Sequence, residues 1–505
     1  MAGGFDVAGP GPARDQPTGP REVALKVLYA VEQRGDQAEV ALNFFLRRFP
    51  LDKRDRALAT ELAYGAIRRQ NTLDWVIAHR ASRPPGRMPA WIRNVLRLGV
   101  YQLLYLDRVP SWAAVDESVR LARKYGHSGT ARLVNAVLRA VSREPGIPEL
   151  PDAGADPAGY LALVQSHPRW LVERWLRRYG LPSASRLCEF NNRPAPVVVR
   201  PNRLKASAGE LRRSLEAEGV VCRETGLFPP GEGGLVLEGY DTLEGLKAYR
   251  QGWFLVQDEG AMVVSRVLGP EPGETVVDAC SAPGGKATHL AELMGDRGRV
   301  LAVDVLDHRL AAVAGNCRRL GIKSVRTVCS DARHLGRLLG PVAHRVLADV
   351  PCSGTGALRR NPDARWRLLP ERLPELVRRE AELLRGAASC LAEGGVLVYS
   401  TCSMEPEENL EVVEAFRREN PAFVYEDLRP HLPPSLAGEP TAPAGYLQLL
   451  PHVHGTDGFF LARLRRRPRR RPRQGLPGGI PGHGENSNAG EVGACRPGRP
   501  RTRAG

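Results

Sequence analysis

Between Arg21 and about Arg143, apolar residues recur at helical spacing with no strand-like alternation. Val23, Leu25, Val27, Leu28 and Val31 open one stripe. Leu58, Leu62 and Ile67 form a second, and Val95, Leu96, Leu98, Leu103 and Leu104 a third. Recurrence every three to four residues puts such side chains on one helix face, and the stretch has room for five or more helices. The pattern breaks at Arg48-Phe49-Pro50, Arg83-Pro84-Pro85-Gly86 and Val109-Pro110-Ser111, as expected where proline disfavours helix in the residue before it. Residues 21–143 therefore predict an all-α helical bundle. Residues 1–20 are rich in Gly and Pro and lack periodicity, which predicts a disordered leader. The run EPGIPELPDAGADP marks 144–160 as a linker.

Residues 161–260 mix signals. His167 to Leu181 reads as helix, Val197 to Arg200 as strand, and the region around Ala208 to Glu218 as a second helix, so a small α+β adaptor is predicted. From Ala261 the rhythm becomes strand, turn and amphipathic helix in repetition, with ETVVDA, GRVLAVDV, SVRTVCSD, HRVLADV and GGVLVYST as strands. Such alternation predicts a doubly wound parallel sheet, a Rossmann-like α/β domain over 261–464. Each of these runs ends in a polar residue, at the edge where open α/β sheets bind ligands.

Length and charge extend this reading. A chain of 505 residues has room for about three domains, which excludes a small stapled scaffold. The net charge of +16 points toward polyanions, and residues 465–505 hold eleven Arg against two Glu. That low-complexity, Arg-rich stretch predicts a disordered tail. Nine cysteines occur without a CxxC pair or a His cluster, so neither a disulfide framework nor a metal site is expected. With no long uncharged apolar run and no secretory leader pattern, the expectation is a protein of the reducing cytoplasm, without a membrane partner and acting as a monomer.

Candidate chemistry gathers at the strand ends. Asp278 closes the first strand and leads into Cys280, Ser281, Ala282, Pro283, Gly284, Gly285 and Lys286. A Gly-rich strand-to-helix turn lets backbone N–H groups approach a ligand. This one is neither a dinucleotide fingerprint nor a P-loop, and taken alone it is equally a tight turn without a ligand. Asp304, Asp331 and Asp349 end or follow the next three strands. A single strand-end Asp is usually a helix cap, whereas several around a Gly-rich turn favour an adenosine-containing cofactor, with Asp304 placed for ribose hydroxyls. Cys352 and Cys402 fall in turns at the same edge, where a thiolate nucleophile is useful. Cys188, Cys222, Cys317, Cys329 and Cys390 read as small buried hydrophobes.

The segments DACSAPGGK, ADVPCSGTGALRRNPDARW and YSTCSMEPEENLEVV, with QDEGAM and HGTDGFFLARL, resemble the motifs of the Nol/Nop/Sun family of RNA cytosine-C5 methyltransferases. The helical region 21–143 resembles the NusB domain, an RNA-binding bundle. The resemblance implies S-adenosylmethionine as cofactor and 16S rRNA as substrate, with the target cytidine single-stranded or looped out. It further implies that Cys280 to Lys286 wrap the methionine part, Asp304 binds the ribose and Asp331 meets the adenine. Asp349 would face the target base, Cys402 would be the nucleophile, and Cys352 would assist product release. Three other readings stand beside this one: a related enzyme acting on tRNA or another rRNA site, a DNA cytosine methyltransferase, and a non-catalytic RNA-binding protein. The last has no need of both Cys352 and Cys402, and the DNA enzyme has no need of Cys402.

Overall fold

Seven α-helices build the N-terminal region of the computed structural model, which describes residues 19–468. They are α1 (Pro20–Arg34), α2 (Ala38–Arg48), α3 (Lys53–Arg68), α4 (Gln70–Arg80), α5 (Ala90–Tyr105), α6 (Ser111–Tyr125) and α7 (Ser128–Arg143). The stripe residues Val23, Leu25, Leu62, Ile67, Val95, Leu96 and Leu98 form one buried core, with Leu58, Leu103 and Leu104 packed at its margin. Each proline-marked break falls between helices. Asp52 caps α3 by accepting the Asp55 N–H at 2.8 Å. The leader, apart from its last two residues, lies outside the described residues.

The 144–160 segment is more ordered than its composition predicts. Helix α8 (Pro157–Val164) begins inside it, and the Trp75 indole donates to the Pro148 carbonyl at 2.7 Å. Asn71 and Thr72 of α4 donate to the carbonyls of Ala162 and Leu163, so side-chain bonds across the chain fix what local sequence leaves free. Helix α9 (Arg169–Asn191) runs ten residues past the predicted end at Leu181, through a non-helical Gly180 just before Pro182. Four strands follow: β1 (Val197–Pro201), β2 (Val221–Glu224), β3 (Leu235–Glu238) and β4 (Phe254–Val256). They form an antiparallel sheet in the order β2-β3-β1-β4.

The larger sheet contains β5 (Thr275–Asp278), β6 (Arg299–Asp304), β7 (Val325–Cys329), β8 (Ala343–Asp349), β9 (Leu391–Thr401), β10 (Phe423–Tyr425), β11 (Tyr446–Leu449) and β12 (Phe459–Arg466). Strands β7-β6-β5-β8-β9 are parallel in that order. The sheet as a whole is mixed, not purely parallel as the alternation predicted. β12 pairs antiparallel with β9, and β10 and β11 pair antiparallel with β12. The β12 run Phe459 to Leu464 is buried on both faces, so it completes the sheet interior. Adjacent residues serve opposite layers, Val276 packing into one apolar cluster and Val277 into the other. Arg465 and Arg466, assigned to the tail by composition, belong to β12, where Arg465 pairs with Glu426. The remainder of that tail, from Arg469, lies outside the described residues.

β5 and β8 are neighbours although the chain leaves β5 toward β6, which makes their carboxyl ends the topological switch point of the sheet.

Candidate active site

The Gly-rich turn leaves β5 at this switch point. The Ser281 N–H donates to the Val303 carbonyl and the Gly284 N–H to the Ser281 carbonyl, both at 2.8 Å, which ties the turn to β6. Gly284 has φ 100°, and a Cβ there would lie 3.1 Å from Val313, so both backbone angle and space require glycine. The helix Gly285–Leu293 starts immediately after. From the adaptor, the buried Arg200 of β1 reaches under this helix. It donates to the Gly285 carbonyl at 2.8 Å, to Glu292 at 2.6 Å and also to Gln257. Sequence reading passed over Arg200, because a single Arg in a Val-rich strand gives no signal of a partner 92 residues away.

Around the turn, several buried polar atoms lack a protein partner: both carboxylate oxygens of Asp278, the Ser281 hydroxyl and the Gln257 amide nitrogen. Burial, and then the nearby Asp349 carboxylate, push the Asp278 carboxyl up to about 7. Unpartnered polar groups beside a Gly-rich turn suit a polar ligand. Asp304 ends β6 nearly buried, accepts the Leu306 N–H at 3.0 Å, and pairs with Arg309 at 3.4 Å. Asp331 caps the short helix Ala332–His334 and is held by Arg333 at 2.6 Å. The Arg333 hydrogen bond is the largest cause that lowers its carboxyl pKa. Burial raises the Cys280 thiol, with Asp278 adding to the effect.

Across the switch point the two singled-out cysteines meet, with sulfurs 3.5 Å apart. Asp349, at the end of β8, receives the Lys286 ammonium at 2.7 Å and the Ser400 hydroxyl at 2.6 Å. Burial works against the Lys286 charge, but Asp349, Asp278 and Cys402 outweigh it and raise the ammonium pKa. Lys286, expected at the cofactor loop, thus also faces the thiols. The loops converge through backbone contacts. The Gly356 N–H donates to the Cys402 carbonyl at 2.9 Å and the Gly458 N–H to the Gly356 carbonyl at 2.8 Å. A Cβ on Gly356 would stand 2.3 Å from the Gly458 oxygen, so no larger residue fits.

Other motif residues hold the frame. Arg360 pairs with Asp258 at 2.7 Å and with Asp457 at 2.5 Å, joining the QDEGAM, Pro-Cys and HGTDGFF segments. Arg365 is fully buried and donates to the Ser166 and Asn191 carbonyls, and the Trp366 indole donates to the Ile67 carbonyl at 2.7 Å. The segment after the Pro-Cys turn is therefore fastened to the helical bundle. Of the cysteines read as buried hydrophobes, Cys188, Cys317 and Cys390 are buried and Cys222 partly so, whereas Cys329 is exposed. Among the described residues no group of three His, Cys, Asp or Glu side chains is arranged to hold a metal. No described helix is long and apolar enough to cross a membrane.

A mixed sheet whose five parallel strands carry a Gly-rich turn at the switch point and an acid at the next strand end has the layout of an adenosine-cofactor fold, and it is consistent with the class of Rossmann-like S-adenosylmethionine-dependent methyltransferases. Family models match three successive regions: the NusB family over 18–143, a ferredoxin-like domain of RsmF/B-like methyltransferases over 167–239, and 16S rRNA methyltransferase RsmB/F over 265–465. "Probable ribosomal RNA small subunit methyltransferase B" of Bacillus subtilis (strain 168) is 37% identical over 452 residues, covering 89% of this chain and 99% of that protein. The chain belongs to the family of ribosomal RNA small subunit methyltransferase B, and it is an S-adenosylmethionine-dependent rRNA methyltransferase. Among solved structures, the crystal structure of PH0851 is 28% identical with a TM-score of 0.75, covering 89% of this chain and 99% of that one. NSun6 from Pyrococcus horikoshii, crystallised with SFG, is 25% identical with a TM-score of 0.52, covering 60% and 99%.

Proposed function

We propose that the enzyme methylates C5 of a cytosine in 16S rRNA through a covalent link between Cys402 and C6. The observation that carries this reading is the contact between the Cys352 and Cys402 sulfurs beside the Lys286–Asp349 pair. Cytosine C5 is a poor nucleophile, and thiolate addition at C6 gives it enamine character. S-adenosylmethionine, when bound, supplies the methyl group. The residues present fit it: the turn Cys280 to Lys286 cradles its methionine part, Asp304 accepts from ribose hydroxyls, and Asp331 meets the adenine. Asp278 and Ser281 bring polar atoms that lack a protein partner.

The roles of the chain's own groups follow from their placement. Cys402 adds to C6 while a proton reaches N3 through the Lys286–Asp349 pair, so the electron pair of the C5–C6 double bond becomes available at C5. After methylation, the C5 proton passes to the Cys352 thiolate, the C5–H pair re-forms the C5–C6 double bond, the C6–S pair returns to Cys402, and N3 gives its proton back to the Lys286–Asp349 pair. Because these groups sit at a sheet edge closed by three loops, the target cytidine enters single-stranded or looped out.

The helical bundle offers a surface that suits such a strand. A groove of about 1020 Å³ between α6 and α7 is lined by Trp112, Arg123, Arg132, Arg139 and Arg143, with Asp116 as its acidic member. Trp112 is 75% exposed, and an exposed ring among guanidinium groups stacks a base while they contact phosphates. On this reading the enzyme acts in the cytoplasm as a monomer. Bisulfite sequencing of total RNA from cells with and without the protein tests the whole reading. A 16S cytidine protected only when the protein is present is the expected result, and an unchanged 16S profile overturns it.

A further inference from the structure

Two buried carboxyl groups near the cysteine turns are left unused by the proposed chemistry. Glu408, in the turn Pro406–Glu408, and Glu380, on the helix Leu373–Ser389, are both fully buried. Glu408 accepts the Ser353 N–H at 2.7 Å, the Ser353 hydroxyl at 2.5 Å, and the Ser403 hydroxyl. Ser353 directly follows Cys352, and Ser403 directly follows Cys402. One carboxylate therefore joins both thiol-bearing turns. Both Glu380 oxygens are buried without a hydrogen-bond partner, and the helix that carries Glu380 packs against the turn that carries Glu408.

We propose that Glu380 and Glu408 form a proton-sharing carboxyl pair that straps the two cysteine turns together and sets the distance between their sulfurs. Two adjacent buried carboxyls cannot both be ionised, so one holds a proton and donates it to the other. Burial, and after it the Glu408 charge, push Glu380 up to about 10, which makes Glu380 the protonated partner at neutral pH. The other titratable groups around the pair are Cys352, Cys402, Glu405, which is paired with Arg174, and Tyr399, whose hydroxyl donates to the Glu408 carbonyl at 2.6 Å. Lys286 and Asp349 pair with each other at 2.7 Å, and Lys286 also feels Cys402. The single negative charge is held against Ser353, the residue next to Cys352. Its bond to Cys402 and its burial raise the Cys352 thiol first, and Glu408 and Glu380 raise it further. Glu380 and Glu408 are positioning residues acting through the cysteines.

The inference rests on the reading of Cys352 and Cys402 as the reacting thiols. Its test uses the full chain with Glu380→Gln, Glu380→Leu and Glu408→Gln. The first measurement is the pH profile of Cys352 alkylation by iodoacetamide, read by peptide mass spectrometry, which needs neither RNA nor turnover. Glu408→Gln removes the charge, and the alkylation midpoint is expected to fall by about one pH unit, a tenfold change in thiolate ratio. Glu380→Gln keeps both the charge on Glu408 and a donor to it, so the midpoint and turnover stay at wild-type values. Glu380→Leu cannot donate, and its turnover is expected to fall by about tenfold or more, with KM for S-adenosylmethionine unchanged. A Glu408→Gln midpoint equal to wild type, a fully active Glu380→Leu, or a Glu380→Gln as impaired as Glu380→Leu overturns the strap. Should Glu408→Gln not fold, the contrast between the two Glu380 variants decides. A wild-type protein that leaves RNA unmethylated defeats the proposed function, while the alkylation profile still reads the strap.

Discussion

Cys352 and Cys402 are equivalent in residue type and turn placement, and only their surroundings separate them. If Cys402 attacks C6, Cys402→Ala loses methyl transfer entirely while still binding cofactor and RNA. Cys352→Ala is expected to add Cys402 to the base, transfer the methyl, and then remain attached to its RNA. Denaturing gel electrophoresis reads this as a retarded band, and a band from Cys402→Ala instead would exchange the two roles. Asp278 gives a second prediction. Its carboxyl titrates near 7 in the folded protein against a reference of 3.8, so the folded state holds a proton that the unfolded chain releases between those values. Its contribution to stability is therefore lost as pH rises from about 4 to 7. Asp278→Asn removes that loss and is expected to be more stable than wild type at pH 8, by up to about 4 kcal/mol, with no advantage below about pH 4. Thermal melting at the two pH values checks it, and identical melting curves at pH 8 would sink it.

At the scale of elements, the Gly-rich turn depends on a neighbour from the preceding ferredoxin-like region. Arg200 of β1 binds the first residue of the helix after the turn and, through Glu292, its far end. Arg200→Met leaves Glu292 buried and unpaired, and removal of one partner from a buried pair costs about 3–5 kcal/mol. The expected outcome is a lower unfolding midpoint in denaturant together with weaker S-adenosylmethionine binding by calorimetry. Loss of stability with unchanged cofactor affinity would show that the clamp does not shape the turn. The β12 strand shows a related dependence, since it closes the exposed edge of β9 with residues from a motif more than fifty positions away.

At the scale of the whole molecule two clusters of basic residues bear on RNA binding: the α6–α7 groove, lined by four Arg, and the sequence 469–505, which holds eight Arg and two Glu. Their contributions to RNA binding separate by salt. Deleting residues 469–505 is expected to flatten the dependence of log K on log salt, by about 0.7–0.9 for each phosphate that the shortened chain no longer neutralises. Trp112→Ala instead should weaken binding by about 1–3 kcal/mol with the slope unchanged, because base stacking releases no counterions. Fluorescence titration of a 16S fragment at several salt concentrations distinguishes them. A Trp112→Ala protein with wild-type affinity would remove the groove from the RNA path.

The sequence alone determined the elements whose signal is local. Helical stripes broken by proline gave the bundle, Val-rich runs with polar ends gave five parallel strands, and the Gly-rich turn and strand-end acids pointed to the sheet edge at the switch point. Cys352 and Cys402 stood out because they fall in strand-end turns at the expected ligand edge, where a thiolate is useful. Tertiary structure decided what depends on partners distant in the chain. β10, β11 and β12 carry no strand-turn-helix repeat and are strands by antiparallel pairing, β12 with β9 and β10 and β11 with β12. The 144–160 segment is ordered by α4 rather than by its own composition. Lys286 reaches Asp349 across 63 positions and Arg200 reaches Glu292 across 92. Glu380 and Glu408 were hidden for the same reason. A Glu on an amphipathic helix reads as solvent-facing, and only the packing of that helix under the thiol turns excludes water and makes one carboxyl keep its proton.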